Sequence, residues 1–239
     1  MKFYYLVFSA LLLLITTAVN AATTIITVDP SDNQGWFAKG GNTGTGGLSI
    51  DMPYPIMGGG TGSLKFVTDG NDGQIIQAAR IPVTNVDDIT ALSWSFNSDH
   101  ATVIPKLKVE YYNLSQGRSG TLVSIPSGSY TPGTWNTVDG MALMWYSTEF
   151  GQGDVRSFAA WQTELAGVFS NYFVIGMGTT SGPFPAVTAY ADMVRLATTA
   201  GSRDDTWDFE GTAPDLPPAP VADVAMTKTL LTRCSLYRR

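Results

Sequence analysis

The chain has 239 residues and a formal net charge of -6, with 14 Lys and Arg against 20 Asp and Glu. Binding to a nucleic acid needs a basic stripe, but here the cationic residues concentrate only at Arg233, Arg238 and Arg239. This charge balance argues against a nucleic-acid partner. The single cysteine, Cys234, excludes a disulfide within the chain, and a core of this size can be stable without one.

The first 21 residues have the pattern of a cleavable secretory signal peptide. Lys2 gives a positive start, Leu6–Ile15 an apolar run, and Val19–Ala21 a small-residue cleavage site. The apolar run is shorter than the roughly 20 residues that span a bilayer, and no later segment approaches that length. We therefore expect cleavage after Ala21 and a secreted or cell-surface mature chain without a membrane span.

The body of the chain is rich in turn residues and poor in charge, with 25 Gly, 13 Pro and 14% charged residues. This composition favours many short strands over a helical bundle. Runs of β-branched and aromatic residues, bounded by Gly, Pro, Asn or Asp, predict ten strands. In chain order these are Thr24–Val28, Ser63–Thr68, Gln74–Ile81, Ala91–Phe96, Lys106–Tyr112, Gly120–Ile125, Thr134–Val138, Tyr172–Met177, Val187–Leu196 and Thr206–Phe209.

One segment departs from the strand pattern, because its apolar residues recur at helical spacing behind residues that cap helices well. A single helix is predicted near 156–166, covering one end or edge of a sandwich, with Trp161 as a core anchor. The apolar positions are Phe158, Trp161 and Leu165, and the candidate N-caps are Asp154 and Ser157.

Domain boundaries follow from composition. Pro214–Pro220 carries four prolines and predicts an extended linker. We expect a signal peptide over 1–21, one β-sandwich domain over 22–212 and a linker over 213–221. The remaining 222–239 are too few to form a core, which predicts a truncated C-terminal segment.

The sequence offers little for catalysis. His100 is the one histidine and lies in a polar turn, so neither a His-dependent nucleophile nor a His-rich zinc site is expected. A glycosidase needs only two carboxylates, and Glu110, Glu149, Asp154 and Glu164 are available but form no recognisable motif. A non-catalytic role is favoured, and a polysaccharide hydrolase or lyase stays open as an alternative.

Aromatic side chains are the best candidates for recognition, since the apolar face of a sugar stacks on an indole or phenol ring. The alternative for each of them is core packing. Strand alternation must bury one of Tyr111 and Tyr112 and expose the other, without deciding which. The candidate ligand-binding residues are Trp135, Trp145, Tyr146, Tyr111 and Tyr112.

Motifs spread over about 34–211 resemble the jelly-roll-like domains of bacterial secreted and surface proteins, a group similar to carbohydrate-binding modules. The resemblance implies an antiparallel β-sandwich. The segments that carry it are Gly35-Trp36, Gly58–Leu64, Asp88–Ser95, Trp135–Asp139, Tyr190–Leu196 and Trp207–Gly211.

The same resemblance bears on metal binding. Tyr190–Leu196 looks like the last strand of many carbohydrate-binding jelly rolls, although Met193 replaces the usual polar residue. The resemblance implies an optional structural calcium ion at Asp192, with Asp208 or Glu210 as partners. No other cofactor is expected.

The C-terminal segment Ala222–Leu230 resembles the first strand of an immunoglobulin-like repeat found in bacterial surface proteins. The likeness stops after Leu231, so we interpret Thr232–Arg239 as an out-of-frame or truncated ending.

Together these features predict a jelly-roll-like antiparallel β-sandwich with one short helix. We expect it to bind a polysaccharide, or a surface protein within a cell-surface or matrix assembly. The structural alternative is a spacer or adhesin segment without a small ligand.

Overall fold

The computed structural model of the chain describes residues 23–40, 45–49, 60–69, 74–113, 116–178, 185–199 and 203–210. The signal peptide, the linker and the C-terminal segment predicted above lie outside these ranges and stay predictions. Among the residues described, no helix has the length and apolar character needed to cross a lipid bilayer.

Fourteen strands and one short α-helix make up the described secondary structure. Two turns of 3₁₀-helix, Val86–Asp88 and Gly140–Ala142, each connect two consecutive strands that lie in different sheets. In chain order the elements are β1 (Thr24–Val28), β2 (Trp36–Gly40), β3 (Thr45–Ser49), β4 (Ser63–Asp69), β5 (Gln74–Asn85), β6 (Ile89–Ser98), β7 (Lys106–Asn113), β8 (Arg118–Ile125), β9 (Asn136–Asp139), β10 (Met144–Ser147), β11 (Gly151–Ser157), α1 (Phe158–Glu164), β12 (Phe169–Gly178), β13 (Ala186–Thr198) and β14 (Arg203–Phe209).

The strands form two seven-stranded sheets that pack face to face. Sheet 1 has the order β1-β14-β13-β4-β3, with β6 also paired to β13 and β9 to β6, whereas sheet 2 has the order β11-β10-β8-β7-β12-β5-β2. Of the described strand pairs, β1 with β14 is parallel and the others are antiparallel. The predicted jelly-roll-like antiparallel β-sandwich with one short helix is confirmed.

The core lies between the two sheets and is dominated by tryptophan. Alternation along β6 turns Leu92, Trp94 and Phe96 inward, and all three are fully buried. Trp36 reaches across from sheet 2, and its ring meets the ring of Trp207 edge-on at 5.6 Å between centroids. Burying about 200 Å² of a tryptophan at about 25 cal/mol per Å² contributes roughly 5 kcal/mol before ordering costs.

Helix α1 closes one end of this core. Its N-cap is Ser157, whose Oγ accepts a hydrogen bond from the backbone N–H of Ala160 at 3.2 Å. Phe158 and Trp161 are fully buried, and Trp161 Nε1 donates to the backbone oxygen of Trp145 at 2.9 Å. The predicted helix, with Trp161 as a core anchor, is confirmed.

Four strands, namely β2, β3, β10 and β11, are absent from the sequence prediction. Strand β11 contains Gly151 and Gly153, residues that disfavour isolated strands, and it forms because β10 pairs with it. Asp154, the other candidate N-cap, lies inside β11 rather than at the helix start. Its carboxylate accepts two hydrogen bonds from Arg156, at 2.6 and 2.7 Å.

A bulge in β13 divides the longest strand of sheet 1. Met193 has a φ of +48°, and the pairing with β6 shifts between Asp192 and Arg195. Because β6 runs along one edge of β13, the other edge is shared by β4, opposite Ala186–Ala191, and by β14, opposite Val194–Thr198. Asp192 therefore lies at the junction of β4 and β14.

Candidate functional site

The face of sheet 2 that points away from the core carries aromatic and polar side chains, and we call it the outward face. Along β7, Val109 and Tyr111 are buried in the core. Alternation consequently turns Glu110 and Tyr112 to the outward face. Both are half-buried there.

Glu110 lies at the centre of this face. Its neighbours in strand register are Tyr172 of β12 and Thr121 of β8. One pair further along, Tyr112 lies beside Phe169 of β12, and the two rings are 6.3 Å apart between centroids. Phe169 is 44% exposed, which is unusual for a residue in a paired strand. The outward face thus presents a cluster of rings around one carboxylate.

An open cleft of about 560 Å³ lies over these residues. Three phenol rings, one carboxylate and three aliphatic hydroxyl groups line it, and strands β7, β8 and β12 and the end of β10 position them. This combination offers stacking surface and hydrogen-bond partners side by side. The lining residues are Tyr111, Tyr112, Tyr172, Glu110, Ser119, Gly120, Thr121 and Thr148.

The wall of the cleft is held by a hydrogen-bond network below its surface. The Tyr111 hydroxyl lies 2.5 Å from Ser147 Oγ and donates to Glu149 Oε2 at 2.8 Å, while Arg118 Nε donates to Glu149 Oε1 at 3.0 Å. Burial raises the pKa of Tyr111 above its ordinary value, so the hydroxyl stays a donor. Gly120 leaves the space that the Tyr111 ring occupies, since a Cβ at this position would lie 2.6 Å from the Tyr111 hydroxyl oxygen.

A second cluster of interest lies on sheet 1, at the β13 bulge. Asp192 is fully buried, and its Oδ1 accepts backbone hydrogen bonds from Met193 at 2.7 Å and Phe209 at 2.8 Å. Its Oδ2 has no hydrogen-bond partner among the described residues, and the same holds for Oδ1 of Asp208. Buried carboxylate oxygens without a partner are costly, so this pair needs a proton or a cation.

Burial and neighbouring carboxylates raise the pKa values of Asp192 and Asp208 in this cluster. Burial, followed by the charges of Asp208 and Glu210, raises the pKa of Asp192 well above its ordinary value. Burial and the charge of Glu210 raise the pKa of Asp208 to about 6. Glu210 itself accepts hydrogen bonds from the backbone N–H and the hydroxyl of Thr61. Of these three carboxyl groups, those of Asp192 and Asp208 each have one oxygen without a hydrogen-bond partner among the described residues.

No family model and no curated protein sequence matches this chain. Solved carbohydrate-binding modules are similar to it. A family 11 module of a cellulosomal cellulase of Clostridium thermocellum is 10% identical with a TM-score of 0.39, over 69% of this chain and 88% of that one. A family 16 module is 12% identical with a TM-score of 0.35, over 63% and 83%.

A further similar structure comes from work on the promiscuous specificity of carbohydrate-binding modules of the β-sandwich superfamily. It is 15% identical with a TM-score of 0.35, over 68% of this chain, and this chain spans 57% of its length. All of these TM-scores lie below 0.5, and the likeness does not identify a ligand for this chain.

Two of the five predicted ligand-binding aromatics are core residues. Trp145 is fully buried, and its Nε1 donates to the backbone oxygen of Gly140 at 2.9 Å. Tyr111 is 2% exposed and packs in the same core. Alternation along β10 and β7 turns both side chains inward, although Tyr111 also lines the cleft, and contact of these two with a ligand stays a prediction.

The other three predicted aromatics are half-buried and reach the surface, but not on one face. Tyr112 and Tyr146 share the outward face of sheet 2, where Tyr146 lies between Val123 of β8 and Val155 of β11. Trp135 lies directly before β9, which is a strand of sheet 1. Contact of these three with a ligand stays a prediction.

Sequence reasoning missed Tyr172 and Phe169 as candidate ligand contacts. The available signal was the alternation of β12, in which Phe173 and Ile175 are inward and Tyr172 must point outward. For Phe169 there was no such signal, because the pairing of β12 shifts register after Ser170.

The cluster at Asp192 offers oxygen donors of the kind that calcium binds. Carboxylate oxygens are the ligands that calcium prefers, and the unsatisfied oxygens of Asp192 and Asp208 fit such an ion. Within the ranges that the structure describes, no group of three acidic, His or Cys side chains converges on a metal position. Any calcium ion held here would therefore take other ligands from backbone oxygens or water.

Proposed function

We propose that this chain is a non-catalytic β-sandwich module that binds a polysaccharide on the outward face of sheet 2. The observation that carries the proposal is the cleft in which half-buried Tyr112 and Tyr172 flank Glu110. The phenol rings offer stacking surface to the apolar face of a sugar, and the carboxylate and neighbouring hydroxyls bind its hydroxyl groups.

Binding is favoured over cleavage by the composition of the cleft. Of the described residues that line it, Glu110 is the one acidic residue, whereas acid-base hydrolysis of a glycoside uses two carboxylates about 5 to 10 Å apart. We place the module outside the cell, at the cell surface or in a matrix, on the strength of the signal-peptide pattern over 1–21.

The proposal includes an optional calcium ion beside Asp192 and Asp208. The ion would neutralise two buried carboxylates on sheet 1, which is the opposite sheet of the sandwich from the cleft. Its role would be structural rather than in ligand contact.

The spacer or adhesin role without a small ligand predicts that the candidate aromatics are buried. Tyr112, Tyr146 and Tyr172 are only half-buried, and Phe169 is more exposed than any of them, all on one sheet face. An apolar and aromatic patch left open to solvent is typical of a binding surface. This favours the module with a ligand.

Affinity electrophoresis of the full mature chain, in gels containing soluble polysaccharides, tests the proposed function. We expect retardation by at least one polymer, and a loss of affinity of at least about tenfold in Tyr112→Ala and Tyr172→Ala. Ile25→Ala, which alters an exposed apolar residue of sheet 1, is the control and should migrate like the unaltered chain. Uniform migration in every polymer would refute the proposal, as would normal retardation of both tyrosine variants.

A further inference from the structure

Strand β11 forms an open edge of sheet 2. It stands at one end of the strand order, and among the described residues it pairs with β10 alone. Gln152, Gly153 and Val155 are exposed, and Val155 keeps 41% of its surface open to solvent. An edge strand leaves alternate backbone N–H and C=O groups without a partner in the sheet. Strand β11 contains neither lysine nor proline, two residues that commonly block such an edge.

Gly153 is a second sign that another backbone approaches this edge. Its φ is not positive, and a Cβ at this position would meet no atom within 4 Å, so the single chain gives no steric reason for glycine here. Glycine inside a strand often marks a place where another backbone comes close. The charges of β11 indicate which strand fits.

These charges are self-complementary. Asp154 and Arg156 have opposite signs, and because they lie two residues apart they share one face of the strand. Both side chains are partly exposed, and they form two hydrogen bonds with each other at 2.6 and 2.7 Å. When two copies of an edge strand pair antiparallel about a twofold axis, residues opposite each other share a face, so one residue lies opposite its own copy.

The charges also determine the register of such a pairing. An axis at Asp154 places two carboxylates opposite each other, which is unfavourable. An axis at Gly153 leaves Asp154 opposite Gln152. An axis at Val155 places Asp154 of each copy opposite Arg156 of the other copy, and it brings the two exposed Val155 side chains together. The register centred on Val155 is therefore the most favourable.

We propose that β11 pairs antiparallel with β11 of a second copy of this chain, about a twofold axis at Val155, and forms a symmetric dimer. The two copies of sheet 2 become one continuous sheet, and both outward faces lie on the same side of it because the axis is perpendicular to the sheet. An interface of one strand is small, so the dimer is weak and forms at micromolar or higher concentration.

The dimer has a consequence for the cleft. Strand β7 is the fourth strand from the β11 edge, so with strands about 4.8 Å apart the two copies of β7 lie about 34 Å from each other. One long polysaccharide can contact both clefts and gain avidity. This consequence rests on the proposed function, whereas the pairing of β11 holds whether or not a polysaccharide binds.

Sedimentation equilibrium of the mature chain tests the pairing. We expect the average mass to move from monomer towards dimer between about 1 and about 300 µM, which is the range of weak interfaces. Val155→Lys places two ammonium groups at the axis and should raise the dissociation constant of the dimer at least about tenfold. Ile25→Lys, in the exposed edge strand β1 of sheet 1, is the matched control and should associate like the unaltered chain.

Exchange of charges tests the register. Asp154→Arg and Arg156→Asp each place like charges opposite each other, and each variant alone should stay monomeric over the same range. An equimolar mixture of the two variants should form a heterodimer, because every pair across the axis then joins a positive and a negative side chain. Restored association in the mixture also shows that both variants are folded.

Four results would overturn the inference. They are a monomer at every concentration, equal association of Val155→Lys and the unaltered chain, no association in the mixture of charge variants, and loss of the dimer in Ile25→Lys, which would point to β1 instead. Each of these results leaves the proposed function intact, since affinity electrophoresis tests polysaccharide binding separately.

Discussion

The paired carboxylates at the β13 bulge predict that the metal-free domain becomes more stable on mild acidification. Asp208 has its pKa raised from 3.8 to about 6 in the folded chain, and the pKa of Asp192 is raised as well. A raised carboxyl pKa means that the ionised group destabilises the fold at neutral pH. As the pH falls from about 7 to about 4, the folded chain takes up protons before the unfolded chain does, and the free energy of unfolding rises.

The size of the effect follows from the shift at Asp208. A change from 3.8 to about 6, at about 1.4 kcal/mol per unit, corresponds to on the order of 3 kcal/mol of unfolding free energy. Asp204 acts in the opposite sense, because the hydrogen bond from Arg195 lowers its pKa, but that stabilisation is lost only below about pH 4. The window between pH 4 and 7 therefore reports on the cluster.

Urea unfolding followed by tryptophan fluorescence, in the presence of a chelator and at several pH values from 4.5 to 8, measures this free energy. Asp208→Asn should be more stable than the unaltered chain at pH 8. Its free energy of unfolding should rise much less on acidification than that of the unaltered chain, because it lacks the Asp208 carboxyl group. Asp139→Asn, at an exposed aspartate, is the matched control. Two results would refute the reasoning. One is a fall in the stability of the unaltered metal-free chain between pH 7 and 5, and the other is an equally large rise in stability on acidification in Asp208→Asn.

Calcium is tested by the same measurement. Saturation at about 100 times the dissociation constant should raise the unfolding free energy at pH 8 by about 2.7 kcal/mol, and Asp192→Asn should abolish most of that increase. Magnesium at the same concentration, which demands stricter octahedral geometry, should stabilise the chain less. An unchanged midpoint with calcium at millimolar concentration would count against a calcium site.

Two further predictions concern packing and capping. Gly120→Ala should lower the free energy of unfolding by about 1 to 3 kcal/mol, because its Cβ would lie 2.6 Å from the Tyr111 hydroxyl oxygen. Thermal unfolding compares this variant with Gly153→Ala, where a Cβ would meet no atom within 4 Å. Equal effects of the two substitutions would contradict the predicted clash. Ser157→Ala should cost about 1 kcal/mol by removing the hydrogen bond from the Ala160 N–H, and Ser157→Asp should restore it. Equal denaturation midpoints for Ser157→Ala and the unaltered chain would show that the cap contributes nothing.

The strands that were predictable share one property, which is a local run of β-branched and aromatic residues. Each of the ten predicted strands overlaps an observed one, from Thr24–Val28 to Thr206–Phe209. Strand β3, with the sequence Thr-Gly-Gly-Leu-Ser, has little strand propensity of its own and forms against β4. Pairing of this kind is a tertiary effect that local composition does not express.

The sequence predicted that aromatic side chains form the candidate site, but it did not predict which aromatic residues reach the surface. Alternation separates Tyr111 from Tyr112, yet the direction of each depends on which face of β7 meets the core. Trp145 illustrates the same limit, because β10 is too short for its own pattern to show which of its faces is inward. Asp192 was identified through a resemblance, whereas its burial depends on the bulge at Met193, which the sequence does not reveal.

The parallel pairing of β1 with β14 has a consequence for how the chain folds. Thr24 lies opposite Asp205 and Val28 opposite Phe209, so the described pairing of the first strand uses residues about 180 positions later in the chain. Closing so long a loop costs entropy before any contact repays it, and folds dominated by such contacts form in milliseconds to seconds. A nascent chain cannot complete the edge of sheet 1 until β14 has been synthesised, so the chain stays incompletely folded for as long as β14 is missing.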